Sequence, residues 1–331
     1  MAGRRQKKSG RRSYAWRYRG RIVACVFVEM IIICALVIMI GWNKGVKEWF
    51  EQFEQPVLKE VDISGINSPN AILMQARGGK ILGEINGEAQ IYPASMTKIM
   101  TVILGIENFD DLDEKITLTD EMFAGLYEQD ATQAGFQPGE EVRVIDLLYG
   151  AMLPSGAECC IALADTISGS EADFAELMNK KARKLGMENT HFCDSTGLHN
   201  PDHYSTVKDI AVLMKYCIKN DTFREIVETS RHSTGVTNIH PDGITYYSTM
   251  FKNLSDPTVT GGKILGGKTG YTSEAGHCLV SFAEIEGREY IFVSAGASGA
   301  DGNTIPHIQD AVTVYNRVGA AIEEKMNDNN K

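Results

Sequence analysis

Three short stretches decide the fold of this 331-residue chain: Ser95-Met96-Thr97-Lys98, Ser155-Gly156-Ala157 and Lys268-Thr269-Gly270. A lysine three residues after a serine lies on the same face of a helix as that serine. The lysine amine could then take the serine proton, provided that burial or a second cation lowers its pKa. We predict that Lys268 is this second cation. Two serines and two lysines are together sufficient for acyl transfer without a histidine.

The residues around these stretches suggest further roles. Free backbone N–H groups at the start of the helix that carries Ser95 could face a developing oxyanion. Lys268 could attract a substrate carboxylate and Thr269 could donate a hydrogen bond to it, in a glycine-rich segment that precedes a strand pair. Ser155 lies in a predicted turn between two helices. Its hydroxyl could relay a proton to a leaving amine, or it could simply cap the next helix.

Strand patterns lie at both ends of the globular part, and helical patterns lie between them. The predicted strands are Ala71–Arg77, Lys80–Ile85, His277–Glu284 and Arg288–Gly296. The predicted helices are Ser95–Glu107, with Ser95 as its cap, Val144–Leu153, Ala157–Ile167, Ser170–Leu185, Thr206–Ile218 and Pro306–Glu324. We therefore predict an α+β fold, in which one antiparallel sheet is built from both chain ends and a helical lobe is inserted between them.

The first 42 residues have the pattern of a membrane anchor. Residues 1–21 carry nine basic side chains and no acidic one, whereas 24 basic and all 43 acidic residues follow them. From Ile22 to Trp42 the chain reads IVACVFVEMIIICALVIMIGW, which is long enough to cross about 30 Å of hydrocarbon as a helix. The basic flank predicts a cytoplasmic N-terminus and an extracytoplasmic globular part. This apolar run explains the basic arm better than a nucleic-acid partner does, so we predict none.

A cleaved signal peptide is the alternative to this anchor. Its apolar part is usually about 7–15 residues and ends in small residues. The run here is longer and ends at Ile40-Gly41-Trp42-Asn43, which favours a single-pass anchor in the cell membrane. The predicted segments are a cytoplasmic arm (1–21), a transmembrane helix in the lipid bilayer (22–42), a stalk (43–69), a catalytic domain (70–325) and a disordered tail (326–331).

Cysteines and histidines give weaker signals. Five cysteines lie outside the apolar run, an odd number without C-x2-C spacing, and we expect small buried side chains. His199 and His203 have i, i+4 spacing, but Pro201 lies between them, which leaves a loop zinc site only as an alternative. A Ser-His-Asp triad also stays open, although no G-x-S-x-G motif supports it. We predict no metal ion and no cofactor.

At this point the chain resembles the low-molecular-mass penicillin-binding proteins, specifically the D-alanyl-D-alanine carboxypeptidases of the S11 peptidase type. The resemblance runs from about Ala71 to about Ala320 and implies a fold similar to DD-peptidases and β-lactamases. It rests on several blocks that are longer than the three catalytic stretches. These blocks are Tyr92–Thr101, Leu153–Gly156, Glu176–Asn179, Leu185–Phe192, Thr196–His199 and Gly267–Gly276.

The resemblance also implies roles for individual residues. Ser95 would be the acylated nucleophile, Lys98 its base and Ser155 the group that passes a proton to the leaving D-alanine. Lys268 and Thr269 of the Lys268-Thr269-Gly270 stretch would hold the terminal carboxylate of a peptidoglycan pentapeptide stem. The backbone N–H groups of Ser95 and Tyr271 would form the oxyanion hole. β-Lactam antibiotics would acylate the same serine, because they mimic the D-alanyl-D-alanine end.

Two departures from the family pattern keep alternatives open. The family's second motif normally ends in asparagine, where this chain has Ala157; Glu158 or a water could take over its hydrogen bonds. Many members also carry a β-rich domain and a C-terminal amphipathic helix after the catalytic domain, and this sequence ends soon after Glu324. One alternative is a β-lactamase, although Glu171 and Glu176 lie on an ordinary predicted helix. The other is a non-catalytic wall-binding or regulatory protein, which the loss of the asparagine would permit.

Overall fold

The computed structural model describes residues 58–254, 256–299 and 305–329, with Met30 as a single further residue. The strands are β1 (Asn70–Gln75), β2 (Ile81–Ile85), β3 (Lys115–Thr117), β4 (Glu141–Arg143), β5 (Arg231–Ser233), β6 (Thr245–Tyr247), β7 (Thr258–Val259), β8 (Gly262–Thr272), β9 (Gly276–Ile285) and β10 (Arg288–Ala297). The helices are α1 (Lys98–Asn108), α2 (Val144–Met152), α3 (Ala157–Ser168), α4 (Glu171–Leu185), α5 (Val207–Cys217), α6 (Asp221–Glu228), α7 (Thr249–Asn253) and α8 (Pro306–Asn329).

The main sheet joins the two ends of the globular part, as predicted. Its strand order is β2-β1-β10-β9-β8-β7, and every neighbouring pair is antiparallel. In β1, Ile72 faces the core that contains the helical lobe, whereas the next residue, Leu73, faces the core under α8. This alternation follows from the two-residue period of a strand. Because both faces are covered, the central strands are buried on both sides.

The helical lobe is built around α1. Every side chain from Lys98 to Leu104 is buried, as is Gly105, so this helix is enclosed on all sides rather than amphipathic. The predicted helices that begin at Ser170 and Thr206 are confirmed as α4 and α5, and these two side chains cap them by accepting hydrogen bonds from Asp173 N and Asp209 N. Gly186 ends α4 in the left-handed conformation, where a glycine is favoured. These caps explain why the helix boundaries could be predicted closely.

Several expectations need correction. Residues 58–63, predicted as part of the stalk, pack on the domain, because Leu58, Val61 and Ile63 are buried in the core under α8. At the other end, α8 continues to Asn329, so residues 326–329 are helical rather than a disordered tail. Strand β8 and helix α6 were not predicted at all.

The predicted cytoplasmic arm, the transmembrane helix and residues 43–57 of the stalk lie outside the described residues. Within the part of the chain that the structure describes, no helix is both long and apolar enough to span a bilayer.

Candidate active site

Ser95 lies in a tight turn that leads directly into α1. Residues Ala94–Thr97 form a 3-10 turn and the α-helix begins at Lys98, so Ser95 neither starts an α-helix nor caps it as predicted. In 3-10 geometry the side chains at i and i+3 eclipse each other, which aligns Ser95 with Lys98. The Lys98 Nζ donates a hydrogen bond to Ser95 Oγ at 3.0 Å. The Ser95 hydroxyl is therefore in reach of a base while its side chain remains half-buried.

The Lys98 amine is held in a dry environment. Its side chain is only 3% exposed, and Nζ donates a second hydrogen bond to Thr196 O at 2.7 Å. Burial lowers the pKa of Lys98, although nearby thiols and the carboxylates of Asp194 and Glu158 oppose this shift. Burial is thus the largest physical cause that favours the neutral amine.

Ser155 faces the site from the turn between α2 and α3. Its backbone is in the left-handed region, at φ +72°, which is strained for a residue with a side chain. Its Oγ accepts a hydrogen bond from Lys268 Nζ at 2.9 Å. The alternative that Ser155 caps α3 is wrong, because Gly156 occupies the cap position and no side chain caps this helix. A strained residue whose hydroxyl meets a buried amine is typical of a functional position.

The Lys268-Thr269-Gly270 stretch lies inside strand β8, not in a loop before a strand pair. Lys268 is 1% exposed, and burial, followed by the positive charge of Lys98, lowers its pKa well below the ordinary value. The two lysines therefore lie close enough for their positive charges to disfavour each other. The Thr269 Oγ1 lies 2.7 Å from Thr249 Oγ1 on α7.

Strand β8 runs directly beside the turn that carries Ser95, which we call the nucleophile turn after the role that Ser95 is predicted to have. A Cβ placed on Gly270 would lie 3.0 Å from Ser95 N and 3.1 Å from the Ala94 Cβ, so a side chain here would push strand and turn apart by a few tenths of an ångström. Tyr271 follows on the same strand; its side chain is 61% exposed and packs against His277, with ring centroids 4.7 Å apart. The structure thus brings the predicted Ser95, Lys98, Ser155 and Lys268 together, with Thr269, Gly270 and Tyr271 along one wall.

Comparison with known proteins agrees with the family resemblance that the sequence suggested. A family model described as D-alanyl-D-alanine carboxypeptidase, of peptidase family S11, matches residues 57–299. This chain belongs to that family. The S11 match begins close to Leu58, the first described residue of the domain, in agreement with the burial of residues 58–63.

Individual relatives support the same assignment. DacF, a D-alanyl-D-alanine carboxypeptidase of Bacillus subtilis, is 35% identical over 231 residues, which cover 69% of this chain and 57% of DacF. DacC, a D-alanyl-D-alanine carboxypeptidase of Escherichia coli, is 33% identical over 262 residues, covering 72% of this chain and 58% of DacC. The chain thus spans a little under three fifths of the length of these relatives. The crystal structure of the Streptomyces K15 DD-transpeptidase matches with a TM-score of 0.69 and 28% identity, over 79% of this chain and all of that one. The predicted DD-peptidase fold is confirmed.

The second motif departs from the pattern that the resemblance led us to expect. Ala157, in place of the family's asparagine, is buried at the start of α3. The neighbouring Glu158 does not replace the amide: its Oε1 accepts hydrogen bonds from the backbone N of Ala134 and of Gly135, at 2.6 and 2.9 Å. Its Oε2 is buried without a hydrogen-bond partner among the described residues. Glu158 therefore holds the loop beside Ser155, and burial raises its pKa.

A group of buried and half-buried residues that packs against the nucleophile turn was not predicted. Asp194, His203 and Thr97 form a hydrogen-bonded chain in the order of a catalytic triad. Thr97 is fully buried, so its hydroxyl cannot be the nucleophile. The Ser95 hydroxyl is contacted by Lys98, whereas His203 contacts Thr97, which argues against the open alternative of a Ser-His-Asp triad at Ser95. His199 contacts Tyr92 and lies 3.9 Å from Glu274, away from the partners of His203, so the two histidines do not converge on a loop zinc site.

Proposed function

We propose that this protein is a serine D-Ala-D-Ala carboxypeptidase, which removes the terminal D-alanine of peptidoglycan stem pentapeptides through an acyl-enzyme. One observation carries the proposal: the buried Lys98 amine lies 3.0 Å from the Ser95 hydroxyl, and a second amine–hydroxyl pair, Lys268 and Ser155, faces the same site. A neutral amine within hydrogen-bond reach of a hydroxyl is the arrangement that general-base activation of a nucleophile requires.

Each step follows from these positions. Neutral Lys98 takes the proton of Ser95 as Oγ attacks the carbonyl carbon of the penultimate D-alanine. The backbone N–H groups of Ser95 and Tyr271 stabilise the oxyanion. When the C–N bond breaks, Ser155 gives its proton to the leaving amine and regains one from Lys268, and the Lys98 ammonium returns a proton to Lys268. Neutral Lys98 then takes a proton from water as the water oxygen attacks the ester carbonyl, and gives that proton to Ser95 Oγ when the ester bond breaks.

Lys268 and Thr269 would hold the carboxylate of the departing D-alanine. Burial and the positive charge of Lys98 lower the pKa of Lys268, so the free site disfavours the protonated amine. An incoming carboxylate supplies that charge and favours the protonated amine, so we expect substrate binding to be coupled to uptake of a proton on Lys268. Thr269 lies next along β8, where its hydroxyl is kept in place by Thr249.

β-Lactam antibiotics would acylate Ser95 by the same route, since they present a carboxylate and a reactive carbonyl in the same relation. A long-lived adduct is expected rather than rapid hydrolysis. Glu171, on α4, accepts hydrogen bonds from Ser195 Oγ at 2.5 Å and from Ser195 N at 3.2 Å. A carboxylate engaged in this way is a poor candidate for the water-activating base of a β-lactamase.

We also propose that residues 22–42 anchor the protein in the cell membrane, with the catalytic domain outside. The support is the sequence alone: an apolar run of spanning length and a basic flank before it. Protease treatment of intact spheroplasts tests this, because an extracytoplasmic domain would be digested and a cytoplasmic one protected.

The activity is tested by measuring D-alanine release from a synthetic pentapeptide stem. The wild-type chain should release one D-alanine per peptide, and Ser95→Ala should release none. A chain that neither releases D-alanine nor forms a penicillin adduct would instead be the non-catalytic wall-binding protein that Ala157 leaves open.

A further inference from the structure

Thr97 directly precedes Lys98 in the turn that carries Ser95, and the proposed reaction gives its side chain no role. Its Oγ1 lies 2.9 Å from the Nε2 of His203, and both side chains are buried, at 0% and 2% exposure. A buried imidazole therefore contacts the turn that sets the spacing of Ser95 and Lys98. The contact links parts of the chain 106 residues apart.

The other end of His203 meets Asp194. The His203 Nδ1 lies 3.1 Å from Asp194 Oδ2, and the backbone N of Cys193 lies 3.2 Å from the same nitrogen. Burial acts to raise the pKa of Asp194, but the hydrogen bond and charge of His203 and nearby backbone N–H groups outweigh it and lower this pKa to about 2. Asp194 is thus a fixed carboxylate.

The second oxygen of Asp194 organises a short loop, residues 194–197. Oδ1 accepts hydrogen bonds from the backbone N of Thr196 and of Gly197 and from Thr196 Oγ1, at 2.8, 2.6 and 2.8 Å. The carbonyl oxygen of Thr196, in turn, accepts the hydrogen bond from Lys98 Nζ. One carboxylate therefore holds both the histidine that contacts Thr97 and the carbonyl that contacts the proposed base.

The loop also packs directly against the nucleophile turn. Gly197 has φ +79°, and a Cβ placed there would lie 1.9 Å from the carbonyl oxygen of Ala94 and 2.7 Å from Thr97 Oγ1. On α1, Thr101 Oγ1 donates a hydrogen bond to Ser195 O at 2.5 Å. Loop and turn therefore meet along their backbones, so a small shift of the loop would move the Lys98 amine relative to Ser95.

We propose that Asp194 and His203 are positioning residues, which hold the loop 194–197 against the Ser95–Lys98 turn and thereby fix the Lys98 amine on the Ser95 hydroxyl. The proposal rests on the proposed acyl-transfer function. Neither residue touches substrate. A base displaced by about 1 Å can slow a reaction by about a hundredfold, so a rigid support for Lys98 has a direct kinetic consequence.

The test compares substitutions at His203 in the full-length chain. Leu at this position removes both polar contacts. Gln has a polar atom at about the distance of Nε2 and can still reach Thr97, whereas Asn has one at about the distance of Nδ1 and can reach only Asp194. Thr97→Val removes the hydroxyl at the other end with little change in shape. His232→Leu is the matched control for His203→Leu, because the His232 Nε2 also pairs with a buried aspartate, Asp146, at 2.9 Å, but His232 contacts none of the proposed catalytic residues.

The readout is stopped-flow acylation by a fluorescent penicillin, which separates the non-covalent dissociation constant from the acylation rate constant. Thermal unfolding of each variant reports its folded fraction. We expect His203→Leu and Thr97→Val to lower the rate constant per folded molecule by about tenfold or more. The dissociation constant should change less than about twofold, and His203→Gln should recover more of the rate than His203→Asn. His232→Leu should lower stability without changing the rate constant.

Two results would overturn the proposal, and they are distinguishable. If the His203 variants lose stability but acylate at the wild-type rate per folded molecule, as we expect of His232→Leu, the Asp194–His203 pair is merely structural. If the wild-type chain itself forms no adduct and releases no D-alanine, the proposed function fails, and the positioning role fails with it.

Discussion

At the scale of single residues, the proposed chemistry depends on the burial of two lysine side chains. Lys98 and Lys268 are both almost fully buried, and burial lowers the pKa of each. An exposed lysine would be protonated at neutral pH and could not accept a proton from Ser95. The Ser-x-x-Lys spacing predicted which residues meet, but the cause of the low pKa became clear only from the burial.

The pH dependence of acylation follows from the lowered pKa of Lys98. Its neutral form is the reactive one, so the acylation rate should rise with pH through this pKa and level off below the ordinary value of 10.5. Stopped-flow acylation by penicillin across pH 5 to 11 measures this. A rate that still rises tenfold per pH unit at pH 10 would mean that Lys98 titrates as an ordinary exposed lysine.

Glu158 offers a separate test of stability. Glu158→Ala leaves the backbone N–H groups of Ala134 and Gly135 without their acceptor, which should cost about 1–3 kcal/mol for each group that stays unsatisfied. Glu158→Gln keeps an oxygen acceptor but removes the ionisable carboxyl group. Burial raises the pKa of that group in the wild type. Because a raised carboxyl pKa means that ionisation opposes folding, the free energy of unfolding of the Gln variant at pH 7 should equal or exceed that of the wild type.

Urea denaturation at pH 7 and at pH 5 checks both variants. The wild type should gain stability relative to Glu158→Gln as the pH falls towards the ordinary glutamate value, because Glu158 then takes up its proton. Equal losses for Ala and Gln would show that the charge, and not the hydrogen bonds to the loop, is what stabilises this region.

At the scale of elements, strand β8 connects the fold to the chemistry. It was missed in the sequence because four of its eleven residues are glycines, which are rare in strands. All four have a tertiary reason that no local pattern reveals. A Cβ on Gly262 would lie 1.8 Å from Glu284 O and one on Gly266 2.3 Å from Val227 O. A Cβ on Gly267 would lie 2.4 Å from Val280 O, and one on Gly270 3.0 Å from Ser95 N.

Substitution of Gly270 tests this close approach. In Gly270→Ala the new Cβ meets Ser95 N and Ala94 Cβ, so the strand and the nucleophile turn must separate by a few tenths of an ångström. We expect the acylation rate to fall by at least about tenfold, because the oxyanion donors on the two elements move apart. An unchanged rate, with the variant folded by circular dichroism, would contradict the proposed oxyanion hole.

The elements that carry clear caps and periodic apolar residues were predictable, and the loop contacts were not. Helices α4 and α5 begin at capping side chains and were predicted almost to the residue. The Asp194–His203 pair lies in a segment without a helical or strand period, nine residues apart, and only the packing of loop 194–197 under the nucleophile turn gives it meaning. Sequence patterns report local geometry, whereas the contact between His203 and Thr97 joins residues that are 106 positions apart.

At the scale of the whole molecule, the sheet requires both chain ends. Helix α8 follows the last sheet strand and covers the sheet face opposite the helical lobe, with Val314, Tyr315 and Val318 buried against it. The Tyr315 hydroxyl accepts a hydrogen bond from Phe292 N at 3.1 Å. This helix begins after residue 299, where the family match ends, and yet it completes the core.

Truncation should show that dependence. A chain that stops after residue 299 loses all of α8, whose buried apolar side chains each stabilise the fold by about 1.5–3 kcal/mol. The sum is comparable with the whole stability of an ordinary domain, so we expect no cooperative thermal unfolding. A chain that stops after residue 325 keeps the buried part of α8 and should unfold close to the wild-type temperature. Cooperative unfolding of the shorter chain near that temperature would show that α8 is dispensable.

The central claim, that Lys98 activates Ser95 as an acylated nucleophile, is tested most directly by mass spectrometry of the protein after reaction with penicillin. The account predicts one covalent adduct per molecule, mapped to the peptide that contains Ser95, and no adduct in Ser95→Ala. An adduct on another residue, or equal labelling of the wild type and Ser95→Ala, would contradict it.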